Sequence, residues 1–390
     1  MADHLPAAPW TRRADLARLV AALGADNIRW VGGAVRDTLL GVDVHDIDAA
    51  TPLVPDEVIR RLEAAGLRHA PTGLAHGTIT AILPAGTVEV TTLRRDVATD
   101  GRRATIAFAN DWAEDAARRD FTINALYAHP ETLEISDYFG GLADLAARRV
   151  RFIGLAEQRI AEDHLRILRY YRFQARFGAD LDAAAERACA ALAPTLKGLS
   201  RERVGWEVLA LLALPDPAPT AARMHAAGVL PVVLPETHGT ELAALAALVA
   251  AEQAAGAAPD PIRRLAALLP PVPALAETIA ARLRLSKAQR EGLTCLAART
   301  PADADNPRIL AYRTSVACAR GRLLLAGADI AALDGWAVPE LPLKGGEIVA
   351  LTGAAGPAVA RTLRAVEERW LAEGFPARER VLQILRDVHD

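Results

Sequence analysis

The strongest constraint on the fold is the point where β-type sequence stops. Between Ile28 and Ile135, short runs rich in Val, Ile and Thr alternate with turn residues, as in "NIRWV", "GTITAIL", "TVEVTTL" and "RATIAFA". From about Leu155 onward the sequence is rich in Ala and Leu at helical spacing, and Pro-rich breaks such as "LPDPAP" and "LPPVP" separate the segments. The pattern predicts the α+β fold class, with an α/β head followed by an all-α remainder.

Composition narrows the class of protein. With 390 residues, 52% of them hydrophobic, the chain is long enough for more than one buried core. Cys189, Cys295 and Cys318 are odd in number and widely spaced, which suggests neither a disulfide framework nor a zinc site and is typical of a reducing compartment. No apolar run reaches the roughly 20 residues of a membrane span, and no signal-peptide pattern is present. We therefore expect a cytoplasmic protein without membrane association.

The segment "NIRWVGGAVRD" predicts a phosphate-binding turn. The strand ends before Gly32 and Gly33, whose missing side chains let a phosphate approach the backbone. A helix from Ala34 then presents its N-terminal N–H groups to an anion, with Arg36 in its first turn.

The next predicted strand carries two carboxylates in "VHDID". Asp46 and Asp48 are two positions apart, so both side chains leave the same face of a strand. Two close carboxylates need a compensating cation, and oxygen ligands suit Mg²⁺. We therefore predict two-metal phosphoryl or nucleotidyl transfer, with Mg²⁺ held by Asp46 and Asp48. The alternative is a strand start rich in turn-forming aspartates, and the Gly-Gly turn just before it favours the metal site.

These motifs, with "HGTITA", "VEVTTLR", "RRDFTINAL", "DYFGGLADL" and "EDHLRILRYYRF", resemble in their order the class II tRNA nucleotidyltransferases. That family includes the CCA-adding enzymes and the bacterial poly(A) polymerases. The resemblance implies a polymerase-β-like head with a small mixed sheet, followed by helical domains. The implied boundaries are 1–137 for the catalytic head, 138–215 for a nucleotide-selecting neck, 216–300 for a body and 301–390 for a tRNA-binding tail.

The resemblance also implies a reaction and its partners. The chain is expected to add CCA to the 3′ end of tRNA from CTP and ATP, and no feature points to a protein partner. A poly(A) polymerase, or an enzyme that adds only CC or only A, is the alternative within the family, and a nucleotidyltransferase acting on a small molecule is another. In the family a flexible loop is associated with the switch from C to A addition, and residues 94–115 supply that loop here, which favours full CCA addition.

The resemblance also implies functional residues in two further motifs. Glu89 in "VEVTTLR" is implied as a third catalytic carboxylate, with equal weight given to an edge-strand surface glutamate. In "RRDFTIN", Arg119, Asp120 and Asn124 are implied to contact the ribose and phosphates of the nucleotide. The alternative for Asp120 is a helix cap, which is compatible with that role.

"EDHLR" is implied to choose the base. Asp163 and Arg166 at i and i+3 are expected on one helical face. A carboxylate accepts from the amino group of cytosine or adenine while a guanidinium donates to the ring nitrogen. Guanine and uracil reverse this pattern of donors and acceptors. Binding either of them would leave protein groups unsatisfied, at a cost of roughly 1–3 kcal/mol per group. The alternative is an ordinary intrahelical ion pair. His164 stands where many relatives have proline, and we expect it to alter the helix start.

The same helix predicts a basic face. Arginines recur at spacings of three and four and are expected to contact the triphosphate or the acceptor end of tRNA; they are Arg166, Arg169, Arg172 and Arg176. Tyr170, Tyr171 and Phe173 on this helix are expected in the core.

Overall fold

The computed structural model describes residues 3–100, 103–179 and 181–389. The chain divides into two compact units, Met1–Leu242 and Ala243–Asp390. The domain boundaries implied at residues 137, 215 and 300 would subdivide these units and stay predictions.

A mixed sheet forms the head, as predicted. Its seven strands run in the order β3-β4-β5-β2-β1-β8-β9, and β6 with β7 forms a separate antiparallel hairpin. Strands β2 and β5 are parallel, and the other paired strands are antiparallel. The strands are β1 Arg29–Val31, β2 Ile47–Thr51, β3 Arg68–Gly73, β4 Thr78–Leu83, β5 Gly86–Thr92, β6 Arg94–Asp100, β7 Arg103–Phe108, β8 Leu126–Ala128 and β9 Ile135–Asp137.

Helices account for the regular structure after β9 throughout the described chain, which confirms the predicted α+β class. The boundary between the two units falls within α12. The helices up to that point are α1 Ala14–Leu23, α2 Gly33–Leu39, α3 Pro55–Ala64, α4 Trp112–Ala117, α5 Gly141–Ala146, α6 Ala156–Glu162, α7 Arg166–Phe177, α8 Ala183–Leu192, α9 Arg201–Leu212, α10 Ala218–Ala226, α11 Leu230–Val233 and α12 Gly239–Ala254. The second unit continues with α13 Pro261–Ala267, α14 Pro273–Arg282, α15 Lys287–Ala297, α16 Pro307–Arg313, α17 Val316–Leu325, α18 Gly345–Thr352, α19 Pro357–Ala372 and α20 Arg378–His389.

An aromatic cluster fixes α7 against the head. The ring centroids of Phe121 and Phe152 are 4.9 Å apart, and those of Phe152 and Tyr170 are 5.7 Å apart. Tyr170 and Tyr171 are fully buried and Phe173 is 6% exposed, which confirms that these three side chains belong to the core. Burial of this apolar face leaves the arginines of α7 on its other side.

The second unit has its own core and one feature that the sequence did not indicate. Trp370 is 1% exposed at the centre of a cluster formed by α18, α19 and α20. Cys295 on α15 and Cys318 on α17 form a disulfide with their Cα atoms 6.3 Å apart. The expectation that the cysteines form no disulfide was wrong for this pair, because helix packing brings together residues that are 23 positions apart. Cys189 is free and buried.

Within the described ranges, no helix combines the length and apolarity needed to cross a membrane.

Candidate active site

A polar cavity of about 600 Å³ lies in the first unit. Every predicted site residue except Glu89 lines it. The lining residues are Gly32, Gly33, Arg36, Asp37, Val44, His45, Asp46, Asp48, Arg118, Arg119, Asp120, Asn124, Asp163, Arg166, Arg169, Arg172, Phe173 and Arg176. The sequence motifs, spread over more than a hundred residues, therefore meet in one place.

The Gly-Gly turn forms one wall of the cavity. Gly32 ends β1 with a φ of 71°, a conformation that favours glycine, and α2 begins at Gly33. A Cβ built at Gly32 would lie 3.7 Å from Nη1 of Arg119, so a side chain there would occupy the space between the turn and that guanidinium. The wall is open backbone, as predicted for a phosphate site.

Arg36 has a more buried position than its predicted phosphate-binding role requires. Only 4% of it is exposed. Its Nε donates to Asp37 Oδ1 at 2.8 Å and its Nη1 donates to Asn124 Oδ1 at 2.5 Å. The guanidinium carbon also lies 4.3 Å from the ring centroid of Phe177. Arg36 therefore ties α2 to Asn124 and to α7 while one side of it faces the cavity.

The carboxylates of the "VHDID" motif lie at the start of β2. Asp48 is within the strand, but Asp46 precedes it, so the prediction that one strand carries both aspartates was wrong for Asp46. Glu89 is the register partner of Asp48 on the parallel strand β5, so both side chains leave the same face. Because β5 lies between β4 and β2, Glu89 is not on an edge strand, although its side chain is exposed as that alternative expected.

Electrostatics favour a cation beside Asp48. The pKa of Asp48 is raised above its ordinary value, first because surrounding protein removes water from its carboxylate and then because Glu89 and Asp46 add negative charge. Arg119 opposes the shift without cancelling it. A bound cation would favour the ionised form of this carboxylate.

The other carboxylates of the cavity are already neutralised by arginine. Asp37 pairs with Arg36, Asp120 with Arg169 and Asp163 with Arg203. Among the described residues, neither Asp46 nor Asp48 has an arginine, lysine or histidine within ion-pairing distance. This pair of oxygen donors is therefore the part of the cavity suited to a metal ion.

Asp46 and Asp48 together offer two carboxylates to a cation. In the part of the chain that the structure describes, no group of three or more His, Cys, Asp or Glu side chains is arranged to hold a metal ion. Two carboxylates leave coordination positions for water and substrate phosphates, which is the usual arrangement for Mg²⁺. The donor set thus suits a metal that shares its coordination with the substrate.

Asp120 is the centre of a hydrogen-bond network. Its Oδ1 accepts from the backbone N–H of Phe121 at 2.8 Å and from Asn124 Nδ2 at 3.1 Å. Its Oδ2 accepts from Arg169 Nε at 2.8 Å. Burial would raise the pKa of Asp120, but the charge of Arg169 and the hydrogen bonds from Asn124 and Arg169 outweigh burial and lower the pKa to about 2. Asp120 is therefore ionised and joins α7 to the turn at Asn124.

Arg119 is held by two residues that the sequence analysis missed. Its Nε donates to Tyr127 Oη at 2.9 Å and its Nη2 donates to Asp115 Oδ2 at 3.1 Å. Tyr127 Oη in turn donates to Asp115 Oδ2 at 2.7 Å. Burial alone would lower the pKa of Arg119, but the negative charge of Asp115 and the hydrogen bonds that Arg119 makes to Tyr127 and Asp115 keep it above its ordinary value. The i, i+4 spacing of Asp115 and Arg119 was the available signal.

Asp163 and Arg166 are not on one helical face, contrary to the prediction. Asp163 follows α6 in an extended conformation with φ −149°, and α7 begins only at Arg166. Asp163 Oδ1 accepts from the backbone N–H of Leu165 at 3.1 Å, which forms a local turn just before the helix. Both side chains nevertheless line the cavity.

Separate partners hold the two members of this motif. Asp163 Oδ2 accepts from Arg203 Nη2 at 2.7 Å. Arg166 donates from Nη1 to Glu162 Oε2 at 2.5 Å and from Nη2 to the carbonyl of Arg118 at 3.0 Å. The alternative of an Asp163–Arg166 ion pair is therefore wrong. Arg203 on α9 was missed because it lies 40 residues from Asp163.

The predicted basic face of α7 lines the cavity, but acidic residues hold its arginines. Arg172 Nε donates to Glu207 Oε2 at 2.6 Å, and Arg169 Nη1 lies 3.6 Å from Glu207 Oε1. Arg176 pairs with Asp37 at 3.2 Å. Glu207, which is 2% exposed, was missed by the sequence analysis. The basic face is thus oriented by fixed partners.

The predicted switching loop, residues 94–115, contains the β6–β7 hairpin. Gly101 and Arg102, within this loop, lie outside the described residues. The loop's expected role in the switch from C to A addition stays a prediction.

Family models match two parts of the chain. Residues 28–151 match the model of the poly(A) polymerase head domain. Residues 178–240 match the model described as a probable RNA and SrmB-binding site of polymerase A.

Of two known proteins that resemble the chain, one matches most of its length and the other about half. The mitochondrial CCA tRNA nucleotidyltransferase 1 of Mus musculus is 34% identical over 368 residues, which is 89% of this chain and 83% of the relative. A CCA-adding enzyme of Streptococcus pyogenes is 42% identical over 188 residues, covering 48% of this chain and 46% of the relative.

Solved structures of CCA-adding enzymes have a similar fold. The CCA-adding enzyme of Bacillus stearothermophilus in complex with CTP has a TM-score of 0.76 at 25% identity, over 96% of both chains. The Thermotoga maritima CCA-adding enzyme complexed with tRNA has a TM-score of 0.70 at 20% identity, over 96% of this chain and 94% of the other.

Proposed function

The chain belongs to the CCA tRNA nucleotidyltransferases, and we propose that the cavity of its first unit is the active site for the family's reaction. The chain adds CCA to the 3′ end of tRNA from CTP and ATP without a nucleic-acid template. One observation carries the site assignment: a single cavity contains two carboxylates free of arginine partners together with Asp163 and Arg166. The carboxylate pair suits a metal ion at the reacting phosphate, and Asp163 with Arg166 suits the base.

Nucleotidyltransferases of this kind are metal-dependent, and we propose Mg²⁺ as the metal and Asp46 and Asp48 as its protein ligands. When bound, the metal supplies positive charge that favours deprotonation of the attacking 3′-hydroxyl and steadies the leaving pyrophosphate. Glu89 is proposed as the third carboxylate because it lies beside Asp48 in the register of β2 and β5.

The triphosphate and ribose are proposed to bind along the wall formed by Gly32, Gly33 and the network around Asp120. Backbone N–H groups at the Gly-Gly turn donate to phosphate oxygens. Arg119 reaches phosphate, while Asp120 and Asn124 accept from and donate to ribose hydroxyls. The basic face of α7, with Arg169 and Arg172, lowers the cost of bringing several negative charges into one cavity.

Base selection is proposed to depend on Asp163 and Arg166. Arg166 uses its Nη1 for the carbonyl of Arg159 and for Glu162, and its Nη2 for the carbonyl of Arg118. These contacts occupy three of its five N–H donors and leave donors for a ring nitrogen. Asp163 accepts one hydrogen bond on each oxygen, so its remaining lone pairs are available to an exocyclic amino group. Fixed in this way, the two side chains take the place of a template base.

A gel-resolved extension assay tests the function. The substrate is a tRNA that ends at its discriminator base, with Mg²⁺ and with CTP and ATP supplied singly and together. We expect addition of two C residues with CTP alone and of a terminal A only when ATP is also present. Long A tracts would make the chain a poly(A) polymerase, addition that stops at CC would make it a partial enzyme, and no extension would contradict the function.

The last part of the proposal concerns the cellular location of the chain. The predicted cytoplasmic location stays a proposal, and the mouse relative is described as mitochondrial.

A further inference from the structure

Trp206 on α9 is exposed to an extent that its chemistry does not favour. It is 61% exposed, whereas Trp10, Trp30 and Trp370 are 7%, 2% and 1% exposed. A large aromatic side chain left in water forgoes the stabilisation that burial would give. Exposed aromatic residues beside a binding cavity are typical of recognition surfaces.

Two contacts place Trp206 at the rim of the active-site cavity. The guanidinium carbon of Arg172, a lining residue, lies 5.4 Å from the centroid of the Trp206 ring. Arg203, three positions earlier on α9 and hence on the same side of the helix, pairs with Asp163, another lining residue. Trp206 itself does not line the cavity. One face of the indole is therefore associated with Arg172 while most of the ring remains open to solvent.

The substrate of the proposed reaction has to pass such a rim. Its unpaired 3′ end must enter the cavity for the 3′-hydroxyl to reach Asp46 and Asp48. Unpaired RNA bases are commonly bound by stacking on aromatic side chains. Stacking tolerates any base because every base has a π-face. This tolerance matters here, since the terminal base of the RNA is the discriminator base before the first addition and C before the next two.

We propose that Trp206 is a stacking platform for an unpaired base at the 3′ end of the RNA substrate, an inference that rests on the proposed function. Arg172 supports the platform by a cation–π contact and adds positive charge near the RNA backbone. The incoming nucleotide is not the ligand of Trp206, because its base is assigned to Asp163 and Arg166 inside the cavity. Trp206 thus acts on the primer and not on the choice of nucleotide.

The test compares Trp206→Ala and Trp206→Phe with the wild-type full chain. Leu155→Ala is the matched control, since Leu155 is also 61% exposed and does not line the cavity. Addition of A to a tRNA ending in CC is measured with tRNA varied at saturating ATP, and with ATP varied at saturating tRNA. Trp206→Ala is expected to raise the KM for tRNA about five- to a hundredfold and to leave the KM for ATP within about twofold. In Trp206→Phe most of this rise in the KM for tRNA should be absent, and Leu155→Ala should have the KM values of the wild type.

Binding supplies a second measurement that does not depend on the stability of the alanine variant. A short single-stranded oligoribonucleotide ending in CC is expected to quench tryptophan fluorescence of the wild type, with most of that quenching absent in Trp206→Phe. An unchanged KM for tRNA in Trp206→Ala, or equal quenching in Trp206→Phe, would overturn the proposal. If Trp206→Ala raises only the KM for ATP, the proposal is overturned and Trp206 contacts the incoming base instead. If Trp206→Ala lowers only kcat, the proposal is overturned and Trp206 positions Arg172 instead. If the proposed function itself is wrong, the wild type adds no nucleotide at all.

Discussion

Replacing Asp120 by asparagine separates the charge of this side chain from its shape. The carboxylate receives hydrogen bonds from Arg169 Nε at 2.8 Å and Nη2 at 2.5 Å, and it is 9% exposed. Asn at this position keeps an acceptor for the N–H of Phe121 but turns an N–H₂ donor toward a guanidinium. We expect Asp120→Asn to destabilise the first unit and to reduce nucleotide addition.

The magnitude follows from the ionisation of the pair. The pKa of Asp120 falls from an ordinary 3.8 to about 2, although burial alone would raise it. At about 1.4 kcal/mol per pKa unit, the ionised form contributes about 2 kcal/mol to the free energy of unfolding at pH 7. The free energy of unfolding lost in Asp120→Asn should be near the low end of the cost of breaking a buried ion pair. The reason is that Arg169 is 31% exposed and has Glu207 at 3.6 Å as a second partner.

The sign of the pH dependence is fixed by the lowered pKa. The stabilisation is fully present above the unfolded-state value and is lost as pH falls through about 2, so roughly half of it remains at pH 3. Urea unfolding of wild type and Asp120→Asn at pH 7 and pH 3 measures this difference. Asp26→Asn, at a fully exposed side chain, is the control and should change stability by less than about 0.5 kcal/mol. A difference that is as large at pH 3 as at pH 7, or none at pH 7, would refute the reasoning.

Two other perturbations have definite expected outcomes. Asp163→Ala removes a carboxylate acceptor, so kcat/KM for CTP and ATP should fall about ten- to a hundredfold and discrimination against UTP and GTP should become smaller, as measured by single-nucleotide incorporation. Unchanged discrimination would remove Asp163 from base selection. Reduction of the Cys295–Cys318 disulfide, which closes a segment of 23 residues, should lower the stability of the second unit by about 2–4 kcal/mol in urea unfolding with and without reductant. The double variant Cys295→Ser with Cys318→Ser should show no response to reductant.

Features carried by adjacent residues could be predicted from the sequence. The run from Val31 through Gly32 to Asp48 specifies a strand, a turn with φ 71° and a second strand, because turn chemistry and β propensity are local. The point at which strands give way to helices was predictable for the same reason. Glu89 needed the sheet topology, since only the parallel pairing of β2 and β5 places it beside Asp48.

Features that depend on tertiary packing were missed. The periodicity of "EDHLR" predicts a continuous helix, but the Asp163 side chain binds the backbone N–H of Leu165 and breaks it. The partners Arg203 and Glu207 lie 40 and 35 residues from the side chains they hold. No local pattern specifies which distant helix supplies such a partner, and the same holds for the pairing of the two cysteines.

The most direct test of the central claim is single-turnover addition by Asp48→Asn. The measurement uses Mg²⁺, CTP and a labelled tRNA that lacks CCA, and it records the rate of the first addition together with the Kd for tRNA. If Asp46 and Asp48 hold the metal at the reacting phosphate, the rate should fall by at least about a thousandfold, equivalent to roughly 4 kcal/mol of transition-state stabilisation. The Kd for tRNA should stay within about twofold. A rate close to that of the wild type would contradict the assignment of this carboxylate pair as the catalytic metal site.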